Sequence, residues 1–192
     1  MILSLNKHKC VFGLAGFSNS GKTTLSISLI KIFKQKGFSV GTIKHAHHDF
    51  EIDKPGKDSW RHRDAGSQEI IISSSKRIAH IIEHEEYNDA KLYELLLLQK
   101  SKDIVIVEGF KKNQLPKLEV RRETEKKELL SLKDKNIFAI ASDDTKNISL
   151  KNSQTIILDL NSPHEIVKFL IQHFNLKAVS YTHLTLPTKR IV

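Results

Sequence analysis

At 192 residues, with 39% hydrophobic and 28% charged residues, the chain has apolar material for one α/β domain and is short for two, and no run of about 18 apolar residues offers a membrane span. One cysteine excludes an internal disulfide, and the N-terminal "MILSLNKHKC" lacks the apolar stretch of a signal peptide, so a cytoplasmic protein is expected. The formal charge of +9 comes from lysines and arginines interleaved with acids rather than gathered on one face with aromatics, so it gives only a weak push towards nucleic acid, and no nucleic-acid partner is expected.

In chain order, apolar periodicity predicts a strand over 9–15, with Cys10 as a buried, unreactive thiol on it, a helix over 22–36 and a strand over 38–44. A polar segment, 45–58, precedes a short helix over 57–65, for which Asp58 is the cap candidate, and Trp60 packs in the core, in preference to an interface. "EIIIS" and "RIAHII" read as two strands, "DAKLYELLLLQK" as a helix capped by Asn88, and "DIVIVEG" as a strand covered on both faces. "KLEVRR", "IFAIAS" and "TIILDL" are further strands, and "PHEIVKFLIQHF" is a closing helix opened by Ser162, Pro163 and Glu165. The alternation in "LPKLEVRRE" predicts an exposed strand suited to dimerisation. This order implies an α/β fold: a mostly parallel twisted sheet with helices on both faces. Residues 1–177 are expected to form one domain. Residues 178–192 have no period, resemble a translated sequencing-adapter read-through, and are set aside; without Lys189 and Arg190, 29 basic residues face 22 acids and the charge falls to +7.

The segment "GFSNSGKTT" fulfils G-x-x-x-x-G-K-[ST], between a predicted strand and a predicted helix. Backbone N–H groups from Ser18 through Asn19, Ser20, Gly21 and Lys22 to Thr24 would curl around a β-phosphate at the positive end of the helix. Gly16 and Gly21 permit close approach, and Asn19 tolerates a left-handed backbone. Lys22 would reach the β- and γ-phosphate oxygens and act in catalysis, while Thr23 offers its hydroxyl to Mg²⁺. A second Mg²⁺ ligand should close a neighbouring strand, where Glu108 stands, followed by Gly109, which would let the backbone pass the γ-phosphate.

The stretch after the second strand carries His45, His47, His48, Asp49 and Asp53. A zinc site would need cysteines or a helical histidine pair, so the preferred reading is a polar loop that touches γ-phosphate, Mg²⁺ or a partner. Lys57 or Asp58 facing ligand is the alternative to a cap. Two functions stay open on the residues alone. One is a small-metabolite kinase with Asp49 or Asp53 as base, and the other, suggested by charge only, is a nucleic-acid-binding ATPase.

Taken together, "GFSNSGKTTL", "IKHAHHDFEIDKPGKDS", "RDAGS" and "DIVIVEGFK" resemble the MobB family, the GTP-binding adapters of molybdopterin-guanine dinucleotide biosynthesis, over about residues 8 to 174. The resemblance implies a P-loop GTPase fold with GTP and Mg²⁺ as cofactors, weak GTP hydrolysis and a homodimer. It also implies assistance to the guanylyltransferase MobA as it attaches GMP to molybdopterin, with molybdopterin a further candidate ligand. Family nucleotide contacts carry over to Gly16 through Thr24, to Pro55, Gly56, Lys57 and Asp58, and to Glu108 as Mg²⁺ ligand; His45 and His48 are expected to touch nucleotide only as imidazoles of the polar loop. "AIASDD" resembles the family's late strand end, where Ser142 and Asp143 are expected to read the guanine edge, although the sequence has no N-K-x-D motif.

Overall fold

The computed structural model describes residues 7–46, 50–84, 90–148 and 155–178. The elements are β1 (Cys10–Ala15), α1 (Lys22–Gln35), β2 (Val40–Lys44), α2 (Asp58–Asp64), β3 (Glu69–Ser73), β4 (Ile78–Ile82), α3 (Leu92–Leu98), β5 (Ile104–Glu108), β6 (Lys117–Arg121), a 3₁₀ turn (Leu130–Leu132), β7 (Ile137–Ser142), β8 (Ile156–Asp159) and α4 (Pro163–His173). They form two compact units: one runs up to His45 and resumes at Leu92, and the other spans Ala46–Lys91.

In the first unit six strands make one sheet in the order β2-β5-β1-β6-β7-β8, and every neighbouring pair is parallel. Parallel strands need crossovers that cover both faces, and the strand residues alternate accordingly. Cys10, Phe12, Leu14, Ile104 and Ile106 point to the layer of α1 and α4, while Val11, Ile43, Val105 and Val107 meet Leu92 and Leu96 of α3. Leu25, Leu29, Ile32 and Phe33 of α1 recur at the spacing of one helix face and are all buried, each contributing about 1.5–3 kcal/mol. The helix stops where Gly37 turns left-handed (φ 84°) and the Phe38 N–H donates to the Phe33 carbonyl. β2 begins later than the apolar pattern suggests, because Ser39 is engaged by Asp103, whose Oδ2 accepts from its N–H at 2.7 Å and its hydroxyl at 2.6 Å.

β6 corrects one expectation. It lies between β1 and β7, its first four residues are buried, and it presents no free edge for dimerisation. The alternation that suggested exposure is a row of buried polar side chains that find partners. The Lys117 ammonium bonds Asp134 Oδ2 and the Asn113 carbonyl, both at 2.6 Å. The Glu119 carboxylate, 1% exposed, accepts the N–H groups of Leu130 and Ser131 at 2.9 Å, closing the start of the 3₁₀ turn. A bulge after Lys117 shifts the register with β7, and the Phe138 ring packs on His173, with centroids 4.5 Å apart.

The second unit holds α2 and the antiparallel pair β3–β4. Asp58 is not a cap: Lys57 occupies that position without a side-chain bond, and Asp58 lies in the first turn, where its charge favours the helix N-terminus. Ser162 does precede α4, but its hydroxyl donates to Asp159 Oδ2 instead of capping. Asn88 lies outside the described residues.

Candidate functional site

The chain leaves β1 at its carboxyl end between β5 and β6, where the crossover through α1 leads to one side of the sheet while β6 flanks the other. Such a switch point opens a crevice at the strand ends, and the loop Gly16–Gly21 fills it. Its path depends on three residues whose backbone a side chain would not allow or few side chains tolerate. Gly16 sits at φ 154°, and a Cβ there would meet Ser20 Oγ and the Val120 carbonyl oxygen at 2.5 Å each. Asn19 adopts φ 62°, and Gly21, at φ 95°, is the N-cap of α1. The first intrahelical bond runs from the Leu25 N–H to the Gly21 carbonyl, so the N–H groups of Lys22, Thr23 and Thr24 precede the helical ladder.

The Lys22 ammonium lies over this loop, donating to the carbonyls of Gly16 (3.1 Å) and Phe17 (2.6 Å) and to Ser20 Oγ (3.4 Å). Burial lowers its pKa from the ordinary value; Glu108 opposes the fall, and Lys111 and Lys44 add to it. Thr23 Oγ1 donates to Glu108 Oε2 at 3.2 Å, joining the start of α1 to the end of β5. One hydroxyl and one carboxylate side by side suit Mg²⁺, which keeps several waters and takes few protein ligands. The donor set therefore fits the ion, and no cluster of three or more His, Cys, Asp or Glu that could hold another metal occurs among the described residues.

His45 is brought to the same strand ends. Its N–H donates to the Glu108 carbonyl at 2.9 Å and its ring packs on Phe110, with centroids 4.9 Å apart. Gly109, at φ 92°, gives way to it: a Cβ there would stand 2.6 Å from His45 Cβ. On the other flank, past the end of β6, Lys127 lies 4.4 Å over the Phe17 ring, and the Arg122 guanidinium lies against Gly21. Asp143 accepts from Arg122 Nη1 at 3.1 Å and from the Glu123 N–H at 2.7 Å. Burial raises its pKa, but the Glu123 N–H and the guanidinium outweigh that and hold it below the ordinary value. Ser142 is buried and accepts the Asp144 N–H at 3.1 Å. A cavity of about 360 Å³ opens here, lined by Arg121, Glu123, Lys127, Ser142, Asp144 and Asn147 among others.

The first unit thus gathers Gly16, Ser18, Asn19, Ser20, Gly21, Lys22, Thr23, Thr24, His45, Glu108, Gly109, Ser142 and Asp143. Asp53 and the turn Pro55–Gly56–Lys57–Asp58 belong to the second unit. Within it, Asp53 is 5% exposed and faces Arg63, with Nη2 to Oδ1 at 3.0 Å and Nε to Oδ2 at 3.5 Å. A carboxylate held in that fork is a structural partner, which removes the reason to cast Asp53 as a general base. Trp60 is half-buried and lines a cavity of about 260 Å³ with Arg63, rather than standing in a core. His47, His48 and Asp49 lie outside the described residues. Sequence reasoning missed Arg122, Lys44 and Lys111; the one available signal was basic residues standing at or just past the carboxyl ends of strands near the loop strand.

The family model for molybdopterin guanine dinucleotide synthesis protein B, MobB, matches residues 11–143. The molybdopterin-guanine dinucleotide biosynthesis adapter protein of Haemophilus influenzae is 33% identical over 177 residues, covering 91% of this chain and 96% of that one. Its counterpart of the same name in Escherichia coli is 33% identical over 166 residues, with 84% and 91% covered. The crystal structure of Bacillus subtilis MobB superposes with a TM-score of 0.66 at 26% identity, over 88% of this chain and 98% of that one. A loop of G-x-x-x-x-G-K-T sequence at the switch point of a parallel sheet, with these relatives along most of the chain, places the protein in the MobB family.

Proposed function

We propose that the protein is a GTP-binding adapter that assists a MobA-like guanylyltransferase in making molybdopterin-guanine dinucleotide, and that it hydrolyses GTP weakly. The observation that carries the nucleotide part is the Thr23–Glu108 contact at 3.2 Å beside Lys22, a hydroxyl and carboxylate placed to share one Mg²⁺ at the phosphate loop. The adapter part is supported by the relatives, two of which bear that name at 33% identity.

In this reading the N–H groups at the start of α1 bind the β-phosphate, Lys22 leaves its carbonyl partners for the β and γ oxygens, and Thr23 and Glu108 orient the metal. Bound Mg²⁺ would neutralise charge on the phosphates. His45, fixed beside Glu108, faces the γ end. The base is assigned to the cavity at the end of β7 beside Ser142, and not to Asp143, whose carboxylate oxygens are both bonded. Weak hydrolysis follows from the lack of an unengaged base among the described candidates, since Asp53 is paired with Arg63. The same pairing weakens the kinase alternative. A cytoplasmic location accords with the lack of any described helix long and apolar enough to cross a membrane. A homodimer and molybdopterin contact remain part of the proposal, with the dimer surface elsewhere than β6.

The test is equilibrium binding of GTP and ATP, with and without Mg²⁺, to the full chain and to Lys22→Ala, followed by guanylyl transfer with a MobA-like partner present. A GTP preference that requires Lys22, together with stimulated transfer, is expected. ATP preference with phosphorylation of a metabolite would replace the adapter by the kinase.

A further inference from the structure

Arg122 follows β6, and its guanidinium lies across Gly21 at the start of the phosphate loop's helix. Nη2, Nε and Cζ stand 3.1, 3.4 and 3.6 Å from the place a Gly21 Cβ would occupy. Only Nη1 has an acceptor among the described residues, Asp143 Oδ2 at 3.1 Å. The Nε and Nη2 donors, on the edge nearest Gly21, are left without one, and the side chain is 38% exposed. The placement sets a cation, already paired with Asp143, beside a helix N-terminus. The N-terminus of α1 carries partial positive charge, its first turn has no acid, and Lys22 adds a full charge within the same loop. Asp143 holds the guanidinium through Nη1, which is not among the three atoms nearest Gly21. A guanidinium whose Nε and Nη2 donors find no protein acceptor, set beside a helix N-terminus and the loop that precedes it, is placed to share a polyanion with that helix end.

We infer that Arg122 is a second cationic ligand of the phosphate chain of a nucleoside di- or triphosphate, and that Asp143 is its positioning residue. The inference rests on the nucleotide-site reading above and adds to it a residue that no part of the G-K-T motif supplies. The end-to-end arrangement is then Lys22 on one side of the phosphates and Arg122 on the other, with the N–H groups of α1 between them. Asp143 fixes the guanidinium plane through Nη1 and leaves the forked Nε and Nη2 edge for phosphate oxygens.

The experiment measures the affinity of the full chain for GDP and GTP in EDTA, and competition by inorganic pyrophosphate, for Arg122→Ala, Arg122→Lys, Asp143→Asn and Lys22→Ala. Arg122→Ala is expected to weaken GDP, GTP and pyrophosphate by a common factor, about tenfold or more for a charged hydrogen-bonded contact, with Arg122→Lys losing less. Asp143→Asn should lose less than Arg122→Ala, and the double variant should bind no worse than Arg122→Ala alone, as for residues that act through one another. If Arg122→Ala binds like wild type while Lys22→Ala fails, the role of Arg122 is refuted and the phosphate site stands. If both bind like wild type, the nucleotide-site reading itself fails. Loss of GDP without loss of pyrophosphate would move Arg122 to the base or ribose and overturn the inference. Should Arg122→Ala not fold, Arg122→Lys decides: undiminished affinity for all three ligands refutes the contact.

Discussion

Glu108→Gln keeps the volume and one acceptor oxygen of the side chain and removes its charge. If Glu108 ligates Mg²⁺ as proposed, the two consequences have opposite signs. With Mg²⁺ present, the ion loses a carboxylate opposite the Thr23 hydroxyl, 3.2 Å away, a loss of about 1.5–3 kcal/mol for a charged contact, or roughly tenfold to hundredfold in affinity. Without Mg²⁺ the same carboxylate only repels the phosphates. Its removal relieves on the order of 1 kcal/mol at a separation of about 6 Å in a mostly aqueous dielectric, so GTP should bind equally well or a few-fold more tightly. Titration of a fluorescent GTP analogue in Mg²⁺ and in EDTA separates the two. The tightening that Mg²⁺ brings should collapse while the EDTA affinity holds or rises; equal loss in both buffers would show that Glu108 supports the loop and does not ligate metal.

Gly16→Ala drives a Cβ into the Val120 carbonyl on the central strand β6, at 2.5 Å and φ 154°, and should cost about 2–4 kcal/mol; a urea midpoint within experimental error of wild type would refute the close approach. Glu119→Ala orphans the N–H groups of Leu130 and Ser131 and should destabilise by about 2–5 kcal/mol, with Glu119→Gln recovering part, as read by urea unfolding. Cys10 is 4% exposed and burial pushes its thiol up to about 12, so an alkylating reagent at neutral pH should label it only in denaturant; rapid native labelling would contradict its burial. Burial raises the Asp103 pKa, but Lys9 and Ser39 outweigh it and hold the group below 3.8; Asp134 is likewise held down by Lys117 and Asn136. The unfolded chain then binds more protons as pH falls, so these groups contribute stability above pH 3.8 that is lost below it. The urea midpoint should fall on acidification through that window, and less so in Asp103→Asn.

Local pattern determined most of the elements and the G-x-x-x-x-G-K-T loop. "IVIV" at 104–107 reads as a strand covered on both faces, and all four residues are fully buried. The G-K-T loop carries its own geometry in Gly16, Asn19 and Gly21, whose backbone angles suit their residue types, so its place between strand and helix was legible from spacing alone. Glu108 was legible for the same reason, as the acid that closes an apolar run.

Tertiary structure decided what pattern leaves open. Whether a polar residue within a strand faces water depends on strand order, and β6 is central because β1 and β7 take its two edges; Lys117 and Glu119 are inside because partners from 113–134 come to meet them. Asp53 and Asp143 carry the composition of functional acids, yet their roles turn on arginines 10 and 21 residues away in the chain. Period and propensity describe one residue's neighbours along its own element. Which charge stands opposite which is set only when the strands take their order, and that is why Arg122 became visible beside Gly21 in the fold and not in the sequence.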